Sequence, residues 1–98
     1  MKLTEQQKRH LRGLAHSLKP VVMVGQHGLK PTIFEELEIA LDAHELIKVR
    51  IAADRDERKE ISEQIIKKTR AVLIQSIGQI NIIYRRNNKD PKIPLPSK

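Results

Sequence analysis

The fold of this 98-residue chain is decided by residues 20–31, which read Pro-Val-Val-Met-Val-Gly-Gln-His-Gly-Leu-Lys-Pro. The four apolar residues at 21–24 lie between Pro20 and Gly25, a pattern typical of a short strand buried on both faces. Pro31 suits the first position of a helix, because its missing N–H would have no partner there. The segment therefore predicts a strand, a glycine loop and a helix in direct succession.

The residues before this segment predict a first helix. Thr4 and Gln7 have the spacing of a capping box, in which each side chain binds the other residue's backbone N–H. Apolar residues follow at helical spacing, namely Leu11, Leu14, Ala15 and Leu18. We expect this helix to end near Lys19, because the residue before Pro20 is disfavoured in the α conformation.

The residues after the glycine loop predict a second helix, a second strand and a third helix. In residues 31–45 the apolar stripe consists of Ile33, Leu37, Ala40 and Leu41. Residues 46–52 alternate, with Lys48 and Arg50 on one side and apolar residues on the other, which predicts a half-buried strand with a basic outer face. Asp54 suits the N-cap of the third helix.

The C-terminal part predicts a hairpin followed by an extended tail. Two β-branched runs, 72–77 and 80–85, are separated by Gly78-Gln79, the pattern of a type II′ turn. Three prolines then keep residues 87–98 extended, and the sequence leaves open whether this tail is docked or loose. The element order predicts a single α/β domain over residues 1–98, α-β-α-β-α-β-β. The first two strands, joined through a helix, should be parallel, and the hairpin makes the four-stranded sheet mixed.

Composition narrows the classes of protein that the chain can represent. There are 19 Lys and Arg residues against 12 Asp and Glu, a net charge of +7, and no cysteine, which excludes disulfides and thiolate chemistry. No apolar run is long enough for a membrane span or a signal peptide, so we expect a soluble cytoplasmic protein without a membrane partner. Nothing in the sequence indicates a dimer interface, and we expect a monomer. Residues 31–45 carry no Lys or Arg and five acids, expected on a solvated face: Glu35, Glu36, Glu38, Asp42 and Glu45.

The glycine loop Gly25-Gln26-His27-Gly28 is the candidate functional motif. Glycines let the backbone turn tightly and let a ligand approach, and the N–H groups of the following helix favour an anion such as a nucleic-acid phosphate. No Gly-Lys-Ser/Thr follows, as a mononucleotide P-loop requires, and the third glycine of a dinucleotide fingerprint is missing. A tight strand-to-helix turn without a ligand is the alternative.

Several blocks of the chain, taken in order, resemble the CRM (chloroplast RNA splicing and ribosome maturation) domain. They are residues 11–16, 19–21, 24–29 and 44–49, followed by Ile77-Gly78 and Tyr84-Arg85. A single free-standing copy of this length is similar to the bacterial YhbY proteins. The resemblance implies a non-enzymatic RNA-binding protein that associates with precursors of the large ribosomal subunit. It also implies a fold similar to the C-terminal domain of translation initiation factor three.

The resemblance assigns the contact with the RNA backbone to the loop, although its middle positions, Gln26 and His27, lack the basic residue of many relatives. The predicted RNA-binding residues are Gly25, Gln26, His27, Gly28, Lys30, Lys48, Arg50, Arg12 and Lys19. We predict no catalytic residue, because Asp42, His44 and Glu45 are not spaced to converge on one reacting atom. No metal site or cofactor is expected either, since no two histidines have the spacing of a helical zinc site.

Three other functions remain open on the sequence. The acidic helix could dock on a basic ribosomal or assembly protein, which would make the chain a protein–protein interaction module. An RNA-processing or nucleotide-using enzyme is a second alternative, although no set of residues in the sequence predicts either activity. DNA binding is the third, because basic charge alone does not distinguish the two nucleic acids.

Overall fold

The computed structural model describes residues 2–97 and contains three helices and four strands. They are α1 (Glu5–Ala15), β1 (Pro20–Val24), α2 (Pro31–His44), β2 (Leu46–Ile51), α3 (Arg55–Thr69), β3 (Val72–Ile77) and β4 (Ile80–Tyr84). This order confirms the predicted α/β domain with its mixed four-stranded sheet. The local signals also behave as predicted: Thr4 and Gln7 form the capping box, Pro31 opens α2, and Asp54 accepts the N–H of Glu57 at the start of α3.

The strands lie side by side in the order β1-β2-β4-β3. β1 and β2 are parallel, with Val22 opposite Val49 and Met23 opposite Arg50, and α2 forms the crossover between them. β4 is antiparallel to both β2 and β3. The turn of the β3–β4 hairpin has Gly78 at φ 55° and no positive φ at Gln79, in keeping with the expected type II′ geometry.

β1 departs from the expectation of burial on both faces. It is an edge strand, and while Val22 and Val24 are buried, the side chains of Val21 and Met23 are 51% and 57% exposed. Only the face beneath α2 is covered, at Val22 and Val24. An unbroken apolar run does not reveal whether a strand lies at the centre or at the edge of a sheet.

The core has two parts, one on each face of the sheet. α2 and α3 cover one face with Leu37, Leu41 and Ile65 packed against Val24, Val49 and other buried strand residues. α1 covers part of the opposite face, where the buried residues are Leu3, Leu11, Ala15, Leu46, Ile74, Ile82 and Tyr84. α1 ends at Ala15 instead of near Lys19. Leu14 and Leu18 are about two-fifths exposed, so a further turn would gain little apolar packing.

Glu45, expected on a solvated face, is fully buried and holds the C-terminal tail. It follows α2 with a positive φ of 63°, and its carboxylate accepts three backbone N–H groups. Asn87 donates to Oε2, and Lys92 and Ile93 donate to Oε1, each at 2.7 Å. The tail is therefore docked, and beyond Glu45 its residues Ile93 and Leu95 pack against the α1 side of the core.

Two acids within α2 bind Arg85, the residue that directly follows β4. Its guanidinium lies 2.9 Å from Glu38 and 2.9 Å from Asp42, and it donates to the Thr69 carbonyl at 3.0 Å. This cluster links the C-terminal half of α2 and the end of α3 to the end of the sheet. Two of the acidic side chains of α2 therefore stabilise the fold through ion pairs.

Because the Glu45 carboxylate holds three backbone N–H groups, we predict that substituting it lowers stability strongly. Replacing Glu45 by Gln removes the charge and turns an NH₂ group toward backbone donors. We expect a loss of about 2–4 kcal/mol in the free energy of unfolding, because hydrogen bonds to a buried charged group are the stronger kind. Urea unfolding followed by circular dichroism measures this loss. The matched change Glu36→Gln, on the exposed side of α2, should be nearly neutral, and equal midpoints for the two variants would contradict the role of Glu45.

Because Tyr84 is buried, we predict that the stability of the protein declines at alkaline pH. Burial, with a smaller contribution from the Glu45 carboxylate, raises the pKa of Tyr84 above its ordinary value of 10.0. The folded state favours the neutral phenol, so its contribution to stability is complete below the ordinary pKa and declines as the pH rises through the tyrosine titration. Absorbance titration reports this directly, since the chain has one Tyr and no Trp. Tyr84→Phe should remove the decline and be tolerated, because the hydroxyl has no hydrogen-bond partner within residues 2–97.

Candidate nucleic-acid interface

The glycine loop forms a tight turn between β1 and α2. The Gly28 N–H donates to the Gly25 carbonyl at 3.1 Å, and Gly28 has a φ of 72°, in the left-handed region that favours glycine. A Cβ atom at either glycine would meet nothing within 4 Å. The two glycines therefore differ: Gly28 meets a conformational requirement, whereas Gly25 leaves the approach to the backbone open.

The N-terminus of α2 follows this turn without a side-chain cap. Lys30 occupies the N-cap position, and its side chain makes no capping hydrogen bond to the first turn. Pro31 has no N–H to satisfy, and the Ile33 N–H bonds back to the Lys30 carbonyl at 2.9 Å. The positive end of the helix dipole is thus left for an external anion, and a lysine lies beside it.

The side chains at the middle of the loop face solvent. Gln26, His27 and Lys30 are exposed, and none of them makes a side-chain hydrogen bond to another residue of the described chain 2–97. The loop therefore presents an amide, an imidazole and an ammonium group together with the backbone N–H groups that the turn itself does not use. All of these can donate hydrogen bonds to phosphate oxygens.

Parallel pairing of β1 with β2 brings Arg50 next to the loop. Arg50 lies opposite Met23, two residues before Gly25, and is exposed. Its Nε donates to the side-chain oxygen of Gln79 at 3.3 Å, a contact that orients the guanidinium over the hairpin end of the sheet. Arg50 thus adds a positive charge on the same side of the molecule as the loop.

The other predicted cations lie farther away. Lys48 is paired with Pro20 at the start of β1, and its Nζ donates to the Leu18 carbonyl at 3.0 Å. Lys19 directly precedes β1, which at about 3.3 Å per residue separates it from Gly25 by roughly 20 Å. Arg12 is half-buried on α1. The structure therefore groups Gly25, Gln26, His27, Gly28, Lys30 and Arg50 at one end of the sheet, and Lys48, Lys19 and Arg12 toward the other.

The exposed apolar residues beside the loop were not predicted. Met23 and Ile77 point to the same face of the sheet as Arg50, and both are more than half exposed. The sequence contained one indication of them, the alternation of β2, which predicts that the face carrying Arg50 is exposed. Residues paired with Arg50 on neighbouring strands lie on this same face. The aromatic residues do not contribute a stacking ring there, since Tyr84 is buried and Phe34 lies under Lys68.

Two other kinds of functional feature are absent from the described residues. No helix within residues 2–97 is long and apolar enough to cross a membrane. In the same range, no three His, Asp or Glu side chains come together as a metal site.

The fold and the loop define a class of protein, an α/β domain in which a glycine loop joins a parallel strand to an uncapped helix N-terminus. The family model of the CRS1 / YhbY (CRM) domain matches residues 3–85. The chain belongs to this family, as its sequence blocks predicted.

Similar proteins match along nearly the whole chain. An RNA-binding protein of Haemophilus influenzae is 46% identical over 97 residues, which cover 98% of this chain and 97% of that protein. A probable RNA-binding protein of Pseudomonas aeruginosa is 43% identical over 93 residues, covering 94% and 89%. The solution structure of a hypothetical protein of Staphylococcus aureus, described as a candidate RNA-binding protein, matches with a TM-score of 0.82 and 36% identity, covering 97% of this chain and 100% of that one.

Because Gly28 has a positive φ, we predict that alanine substitutions at Gly28 and at Gly13 change stability in opposite directions. Gly28→Ala places a side chain in a left-handed conformation and should lower the free energy of unfolding by about 1 kcal/mol. Gly13→Ala, at an exposed position in the last turn of α1, should raise it by about 0.5–1 kcal/mol because alanine is the better helix former. Urea unfolding of both variants measures the contrast. A Gly28→Ala protein as stable as the unmodified chain would contradict the geometry of the loop.

Proposed function

We propose that this protein binds RNA without catalysing a reaction, and that its target is large-subunit ribosomal RNA or a precursor particle during ribosome assembly. The observation that carries the proposal is the glycine loop placed directly before an uncapped helix N-terminus. This arrangement offers several N–H donors and a positive dipole to one phosphate group. Membership of the CRM family and the names of the similar proteins support RNA as the ligand.

The charged side chains extend this contact beyond the loop. Lys30 and Arg50 lie closest to the loop and would neutralise adjoining phosphates, while Lys48, Lys19 and Arg12 continue the positive surface toward α1. Such contacts attract any RNA and position it, but they do not read its sequence. The restriction to large-subunit RNA rests on the resemblance to bacterial YhbY proteins. The proposal includes action as a monomer in the cytoplasm.

The acidic helix is less suited to the alternative role of docking on a basic protein. Of its five acids, Glu38 and Asp42 bind Arg85 and Glu45 is buried against the tail. Glu35 and Glu36 are the two that stay exposed without such a bond within the described chain. An enzymatic role gains no support either, because Asp42 and Glu45 already have structural partners.

The loop predicts a specific loss of RNA affinity. Replacing Gln26 and His27 together by Asp sets two negative charges against the phosphates, and like charges at an interface cost enough free energy to weaken binding by about 10- to 100-fold. Filter binding with deproteinised large-subunit ribosomal RNA measures the dissociation constant. Urea unfolding should show unchanged stability, because both side chains are exposed.

The matched control adds the same charge elsewhere. Asn88→Asp with Ser97→Asp changes two exposed residues of the tail, neither of them among the proposed RNA-binding residues, and should weaken binding by less than about threefold. Affinity of the unmodified protein should also fall about 10³-fold between low and moderate salt if about six phosphates are contacted. Equal losses in the two double variants, or affinity independent of salt, would overturn the proposed site.

Sedimentation of the protein with large-subunit precursors in a lysate tests the ribosomal target.

A further inference from the structure

A row of side chains crosses the sheet next to the glycine loop and is left uncovered. Met23, Arg50, Ile80 and Ile77 lie opposite one another on β1, β2, β4 and β3, and so share one face. Met23 is 57% and Ile77 is 55% exposed. With neighbouring strands about 4.8 Å apart, the row is roughly 14 Å long.

This row is open because the cover on this face ends before reaching it. α1 and the tail residues Ile93 and Leu95 pack over the other end, where Leu46, Ile82 and Tyr84 are buried. Ile80 is half-buried at the margin of that cluster. The open row begins two residues before Gly25, so it adjoins the surface proposed to grip the RNA backbone.

The chemistry of the row favours a partner that is flat, apolar and attached to negative charge. The four strands contain two charged residues, Lys48 and Arg50, both cationic, and no acid. The amide side chains of Gln75 and Gln79 lie beside the row and can pair with the edges of bases. Methionine adapts to apolar surfaces, and an Arg guanidinium stacks on bases.

We propose that this row binds unpaired RNA bases while the loop holds the adjoining backbone. Met23 and Ile77 would contact base faces, and Arg50 would stack between them. The inference rests on the proposed function and adds a preference for single-stranded segments. A paired duplex keeps its base faces stacked inside and cannot offer them to the row. In RNA recognition motifs a four-stranded sheet holds about two or three bases, for which the row is long enough.

The test compares unpaired with paired RNA. Fluorescence anisotropy is measured with a fluorescein-labelled pool of random-sequence single strands and with fully paired duplexes of the same length. Replacing Met23 and Ile77 together by Gln should weaken binding of the single strands by about tenfold or more. Duplex affinity and the salt dependence should stay unchanged, because no phosphate contact is removed.

The controls separate this inference from the proposed function. Ile39→Gln removes a side chain that is 71% exposed on α2 and should leave all affinities unchanged. The Gln26→Asp, His27→Asp protein should lose affinity for single strands and duplexes alike. Dimethyl sulfate footprinting of ribosomal RNA bound to the unmodified protein should show protection of unpaired bases.

Three other results of these measurements would overturn the inference, each for a different reason. If the sheet variant binds single strands normally while the loop variant does not, the loop is the site and the row is not. If the sheet variant binds both RNAs normally but leaves ribosomal particles, the row docks a protein instead. If the unmodified protein binds neither RNA at low salt, the proposed function fails as well.

Discussion

The buried carboxylate of Glu45 is the interaction on which the arrangement of the whole chain depends. It lies where α2 passes into β2, and it binds three amides from a segment more than forty residues away. This bond fixes the tail over one end of the sheet, where it completes the cover begun by α1. The opposite end of the same face, with Met23 and Ile77, is covered by neither α1 nor the tail. Glu45 thus anchors part of the cover that separates the buried end of this face from its exposed end.

The candidate site follows from parallel strand pairing. A parallel pair needs a crossover helix, and the chain must turn sharply from the end of β1 into that helix. The turn sets the glycine loop beside the carboxyl ends of β1 and β2, which is where ligands generally bind in open α/β sheets. Arg50 lies at the loop end of the sheet because the register of the pair places it opposite Met23. The site is therefore a product of topology as much as of the GxxG motif.

The parts of this architecture that the sequence predicted are those with a local physical cause. The capping box at Thr4, the proline at position 31, the alternation of β2 and the Gly78 turn each act over a few residues. The parts that it did not predict depend on distant partners. Burial of Glu45 requires the tail, and exposure of Met23 requires β1 to lie at the edge of the sheet. Loop, helix and Arg50 could be predicted together, whereas the apolar row could not.

The docking of the tail also has a consequence for how the protein is made. Synthesis proceeds from the N-terminus, so Glu45 is exposed to solvent water long before its amide partners exist. A charge cannot be buried favourably without its partners, which means that the junction of α2 and β2 cannot take its final form until residue 93 has been translated. The glycine loop and β1, by contrast, have all of their local contacts much earlier. During synthesis, the closing of the tail therefore cannot precede these earlier contacts, and it takes place at the end of the molecule opposite the loop.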